Sequence, residues 1–153
     1  MSRLRVRLAG PSDLEVLVHQ RHMMFEDMRH PTPEQQARAD DAYRRWAPKM
    51  MKRGLLRCYL VVRGKDVVGG GSLWLRDVQP GPGQSVSRIP YLLSMYTEPP
   101  FRRRGVATMV VKEAMRWARG HGYPKATLHA SSVGRKVYSK LGWERTWEMA
   151  VDL

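Results

Sequence analysis

Charged and apolar residues alternate from Arg3 to Leu8, the period of a strand with one buried face. Gly10-Pro11-Ser12 interrupts it, and Ser12 or Asp13 is placed to cap a helix, with Glu15 completing a capping box. Leu14, Leu17, Val18, Met24, Phe25 and Met28 then recur at helical spacing as far as His30-Pro31. A second helix is expected from Pro33-Glu34 towards Met51, kinked or ended at Pro48. From Gly54 the period falls to two. Leu55–Arg63 and Val67–Arg76 read as a hairpin turning at Gly64-Lys65-Asp66. Gly69, Gly70 and Gly71 inside the second run imply a bulge or a close approach of backbone.

Asp77–Arg88 contains Pro-Gly-Pro-Gly and reads as a loop, and Ile89–Thr97 as a strand. Strict alternation would put Tyr91, Leu93, Met95 and Thr97 on one face of it, with Leu92, Ser94 and Tyr96 on the other. Ala107, Val110, Val111, Ala114, Met115, Trp117 and Ala118 form one broad face of a helix from Gly105 to Gly120. A short strand over Lys125–Ala130, a short helix over Ser132–Leu141 and a last strand over Glu144–Val151 complete the order β-α-α-β-β-β-α-β-α-β. Without a repeat or a linker, residues 1–153 are expected to form one α/β (α+β) domain, with a parallel pair where a helix joins two strands.

Composition narrows the function classes. The 42% hydrophobic and 27% charged residues suit an ordinary globular chain. No apolar run approaches the roughly 20 residues that span a bilayer, and the N-terminal stretch lacks a signal-peptide core, so a cytoplasmic protein without membrane contact is expected. The single Cys58 allows neither an internal disulfide nor a cysteine zinc cluster. His19-x-x-His22 has metal spacing on a helix, but no third ligand follows, and no metal is expected. Lys and Arg outnumber Asp and Glu by 27 to 14, a formal net charge of +13, which points to an anionic partner. Seven acids (Asp13, Glu15, Glu26, Asp27, Glu34, Asp40 and Asp41) fall before residue 42, so one end of the molecule is placed to meet a cation.

The densest positive charge, Arg102-Arg103-Arg104-Gly105, stands where a helix begins. A helix start already carries partial positive charge from its free N–H groups, so arginines there are unfavourable unless an anion fills the gap. Gly105 permits a tight turn and a close approach to the main chain. The N–H groups of the first helical turn converge on one place, and the arginines add charge suited to phosphate oxygens. The pattern predicts a pyrophosphate cradle. Its spacing is neither that of a Walker loop nor that of a dinucleotide fingerprint.

Tyr96-Thr97-Glu98-Pro99 followed by Arg102-x-x-Gly105-x-Ala107 resembles motif A of the GNAT superfamily of acetyl-CoA-dependent N-acetyltransferases, whose signature is Arg/Gln-x-x-Gly-x-Gly/Ala. Tyr138-Ser139-Lys140-Leu141-Gly142-Trp143 is similar to the Tyr-x-Lys-x-Gly-Phe/Trp of motif B. The predicted element order also matches that family, so the resemblance covers essentially the whole chain. It implies that strand groups of Met95, Tyr96 and Thr97 pair with the pantetheine arm of acetyl-CoA. It implies that Arg102 and the amides of Arg103, Arg104, Gly105, Val106, Ala107 and Thr108 hold the pyrophosphate. Tyr138 corresponds to the tyrosine that protonates the leaving thiolate. Ser131 stands where the family often has asparagine.

The acceptor is less legible. A thioester is already activated, so the enzyme's tasks are to position an amine and polarise a carbonyl. A backbone N–H near Met95–Tyr96 suits the second task. A lysine-like amine is about three pK units from neutrality, so a base or a water chain is expected, with Glu98 and His129 as candidates and Tyr91 behind them. Trp46, Met50, Met51, Met23, Met24 and Phe25 belong to the core or to an acceptor pocket. The expected acceptor is a primary amine on a small cationic molecule or a peptide, and exposed hairpin edges allow a homodimer. A silent acyl-CoA sensor and a basic nucleic-acid-binding module are the rival classes, the latter lacking any aromatic-basic recognition motif.

Overall fold

The computed structural model describes residues 2–83 and 86–153, so Gln84 and Ser85 of the expected 77–88 loop lie outside the described residues. Five strands form one sheet in sequential order: β1 (Leu4–Leu8), β2 (Leu56–Arg63), β3 (Asp66–Asp77), β4 (Arg88–Thr97) and β5 (Thr127–Leu128). β1 to β4 pair antiparallel, and β5 joins β4 in parallel after the crossover helix α3 (Val106–Gly120). Helices α1 (Leu14–Arg29) and α2 (Pro33–Lys52) precede β2, and α4 (Gly134–Lys140) follows β5. Among the described residues no helix is long and apolar enough to cross a membrane.

The amphipathic pattern divides the interior in two. Val106, Val110, Val111, Ala114 and Ala118 of α3 pack with Val61, Val68, Leu73 and Leu92 against one face of the sheet. Leu17 and Val18 of α1, with Tyr43 and Ala47 of α2, pack with Leu56, Cys58 and Leu60 against the other. Burying a side chain of this kind contributes about 1.5–3 kcal/mol, so each helix layer is held mainly by its own apolar face.

Local signals explain the boundaries. Thr32 caps α2 in a reciprocal box with Gln35, and Pro33 occupies the first turn, where its missing N–H costs nothing. The helix then runs through Pro48 to Lys52 instead of ending there, carried by its packing against β2. No Ser12/Glu15 box forms. Asp13 instead accepts from the Gly10 N–H at 2.8 Å and from both arms of the Arg7 guanidinium, while Glu15 pairs with Arg44. Arg7 holds the Asp13 carboxyl down at about 2.

Two features depart from the sequence pattern. In β4, Ser94 and Met95 together oppose Gly71, because Leu93 pairs with Ser72 and Tyr96 with Gly70. This bulge adds one residue and shifts the alternation by one. Tyr96 therefore shares a face with Leu93, and Met95 lies over Gly71 on the α3 side, the reverse of the expected faces. The second departure is the last strand. Glu144–Val151 has no strand partner, and every residue from Glu144 to Leu153 is exposed.

Glycines 69–71 make the bulge possible. A Cβ on Gly70 would run into the Tyr59 carbonyl, and one on Gly71 into the Met95 sulfur. On Gly69 it would stand 2.7 Å from Val106 and 2.8 Å from the Tyr96 carbonyl. Backbone and helix approach here too closely for any side chain.

Candidate active site

The β4–α3 connection is built from backbone. Thr97 ends the strand, Pro99–Phe101 make one turn of 3-10 helix, and Gly105 at φ 81° opens α3. The helical ladder begins with the Met109 N–H on the Gly105 carbonyl at 3.0 Å. The N–H groups of the preceding turn are left without intrahelical acceptors, and no side chain caps them. Gly105 itself is exposed, and nothing lies within 4 Å of where its Cβ would stand.

The three arginines divide. Arg102 is committed inward: its Nε donates to the Thr97 carbonyl at 3.0 Å and its Nη2 meets Asp27 at 2.8 Å. It braces the end of β4 against α1. Arg103, at φ 61°, and Arg104 are exposed and form no ion pair among the described residues. Arg104 and Arg63 both stand over the Phe101 ring, at 5.7 and 4.6 Å from its centroid. Arg63 joins the basic cluster only through the β1–β2–β3 register, so no local motif announces it.

The bulge lies directly upstream of this turn. Ser94 adopts φ 56°, a left-handed conformation rare for a residue with a side chain. Such outliers persist where the surrounding structure fixes them, often at reactive sites. Ser94 also lines a cavity of about 410 Å³ between α2 and the sheet, with Arg21, Tyr43, Trp46, Trp74 and Leu93. Its aromatic wall is a chain of ring contacts: Tyr43 to Trp46 at 6.1 Å, Trp46 to Trp74 at 5.5 Å and Trp74 to Tyr91 at 6.5 Å. Of the aromatic and methionine residues singled out in the sequence, Trp46 lines the cavity, whereas Met50 and Met51 pack on the adjoining core. Arg21, Trp74 and Ser94 carry no chemical signature in sequence; only the three-element juxtaposition brings them together.

Glu98 Oε1 accepts from His19 Nε2 at 2.8 Å, and the His19 ring meets Tyr96 edge-on at 6.3 Å. His22 has a separate partner, Asp40, at 2.7 Å, so the two histidines of the helical pair face different carboxylates. Among the described residues no three metal-ligating side chains cluster. His129 stands exposed just past β5, one residue beyond the Leu92–Leu128 pairing.

Tyr138 lies on α4, packed against the α3-side core with its ring edge-on to Trp143 at 6.1 Å. Burial pushes its hydroxyl above the ordinary tyrosine range, so it keeps its proton at neutral pH. The Ser131 hydroxyl accepts the Gly134 N–H at 3.1 Å, ordering the start of α4 while its own proton stays available.

A family model described as the acetyltransferase (GNAT) family matches residues 21–143. A GCN5-related N-acetyltransferase from Ralstonia eutropha superposes with a TM-score of 0.90 at 24% identity, over 99% of this chain and 99% of that one. A predicted acetyltransferase from Clostridium acetobutylicum, solved with acetyl-CoA, gives 0.86 at 25% identity over 99% and 96%. An aminoglycoside N-acetyltransferase in complex with CoA gives 0.74 at 20% identity over 100% and 95%. No curated protein matches the sequence.

Proposed function

Because the chain belongs to the acetyltransferase (GNAT) family, we propose that it transfers an acetyl group from acetyl-CoA to a primary amine of a small molecule or peptide. The observation that carries this reading is the Gly105 turn, where an open face and orphan helix-start amides stand beside unpaired Arg103 and Arg104. An N-terminal helix turn of this kind attracts a pyrophosphate through both its N–H groups and its dipole. Arg102 supports the turn from within instead of reaching a phosphate, because its guanidinium is already spent on Thr97 and Asp27.

Acetyl-CoA supplies an activated thioester. The chain's own tasks are to hold it, orient the amine and move two protons. The strand from Met95 to Thr97 offers main-chain groups to the pantetheine arm, and the bulge at Ser94–Met95 frees a backbone N–H to polarise the carbonyl. The amine enters through the cavity at Ser94. Glu98, paired with His19, takes up the amine proton through water. Tyr138, kept protonated by its buried setting, gives a proton to the departing thiolate. His129, exposed and unpaired, has no share in this scheme.

Thiol release with purified protein tests the proposal, across polyamines, aminoglycosides, amino acids and short peptides, with acetyl-CoA binding followed separately by calorimetry. Saturable release with one amine class supports it. Absence of acetyl-CoA binding overturns the reading of the Gly105 turn. Binding without turnover of any amine leaves the sensor reading in its place.

A further inference from the structure

The cavity beside Ser94 contains one charged side chain, and it is a cation. Arg21 reaches in from α1 while every other lining residue is apolar, aromatic or a serine. Its guanidinium stacks on the Tyr43 ring at 4.2 Å and the Phe25 ring at 5.2 Å, and Nη1 is buried without a hydrogen-bond partner. Asp40, the acid that influences it, is already hydrogen-bonded to His22. A guanidinium stacked on aromatic faces, with a buried N–H donor left unsatisfied, gains most from a planar or tetrahedral anion that settles beside it.

Of the early acids, Asp40 favours this charge, and it does so from outside the cavity. Asp13 is paired with Arg7, Glu15 and Asp41 with Arg44, Asp27 with Arg102, and Asp40 with His22. None of them lines the cavity. The cationic acceptor suggested by the sequence would thus set like charge beside Arg21.

We infer that the acceptor carries, besides its amine and an apolar body, an anionic group that Arg21 binds within the aromatic wall of the cavity. The anion is a carboxylate or a phosphate; both offer the oxygens that a guanidinium fork accepts. This inference rests on acetyl transfer at the same site, and its test is chosen to be independent of turnover. Tryptophan fluorescence, reporting from Trp46 and Trp74, is titrated with 3-phenylpropionate, phenyl phosphate and 3-phenylpropionamide. Either anion is expected to bind at least tenfold tighter than the amide, and the stronger of the two identifies the anion class. Arg21→Met should abolish the preference and Arg21→Lys retain part of it, with acetyl-CoA affinity unchanged in both. Equal binding of acid and amide, or an unchanged preference in Arg21→Met, overturns the inference. Loss of acetyl-CoA binding in the wild type would instead strike the transferase reading and leave the anion preference standing.

Discussion

The two halves of the candidate site are made of different material. On the α3 side, the donors from Arg103 to Thr108 are main-chain groups, aimed by one left-handed glycine and one helix start. On the α2 side, the cavity wall is side chain throughout, assembled from α1, α2, β3 and β4. Backbone donors barely depend on residue identity, whereas an aromatic wall changes with every substitution. The first half suits a ligand that is always the same. The second suits one that differs among relatives.

This contrast can be broken at several points. The largest effect is expected at Tyr138, which in the proposed scheme serves whichever amine is bound: Tyr138→Phe should lower kcat by about 10²–10⁴-fold while acetyl-CoA affinity stays put. Unaltered kcat would remove it from proton transfer. At Gly105 a side chain fits the space but not the dihedral of 81°. Gly105→Ala should therefore cost about 1–2 kcal/mol of left-handed strain. It should appear as roughly tenfold weaker acetyl-CoA binding in calorimetry, with acceptor KM little changed. On the other half, Trp74→Leu should raise acceptor KM severalfold and leave acetyl-CoA affinity intact. Equal damage to both constants would show the halves to be one unit.

The smallest effect tests charge. Replacing Arg103 and Arg104 by alanine should weaken acetyl-CoA binding only a few fold, and less at high salt, because both are exposed. The acid limb of stability gives a related check far from the site. Asp13 has its folded pKa lowered from 3.8 to about 2 by Arg7. Its contribution is complete above the unfolded value and is lost as pH falls towards 2. Asp13→Asn should flatten that stretch of the melting-temperature profile and leave neutral pH activity unchanged.

How much of this was legible follows the same division. The Gly105 turn could be read because its function is local in sequence: a strand end, a glycine and a helix start fall within a dozen residues. The Tyr138 segment was legible for the same reason. The bulge was not, since an extra residue in β4 is defined only against Gly70 and Ser72 of its neighbour. Alternation alone put Met95 and Tyr96 on the wrong faces. The cavity was less accessible still, because Arg21 and Trp74 are far apart in the chain and neither has a motif. Pro48 was read as a kink or an end of the second helix, and α2 runs through it to Lys52. The final strand expected over Glu144–Val151 does not form among the described residues.

The glycine triplet of β3 has a practical consequence for redesign. Gly70 turns towards α1, and Gly69 and Gly71 towards α3, yet none of them sends a side chain to either layer. At this point the sheet is a bare partition that transmits shape but no side-chain contacts of its own. Libraries drawn over Arg21, Trp46 and Trp74 can therefore vary the proposed acceptor cavity while the proposed acetyl-CoA turn behind the partition is left as it stands. The partition itself tolerates no such freedom, and any library should hold residues 69–71 fixed.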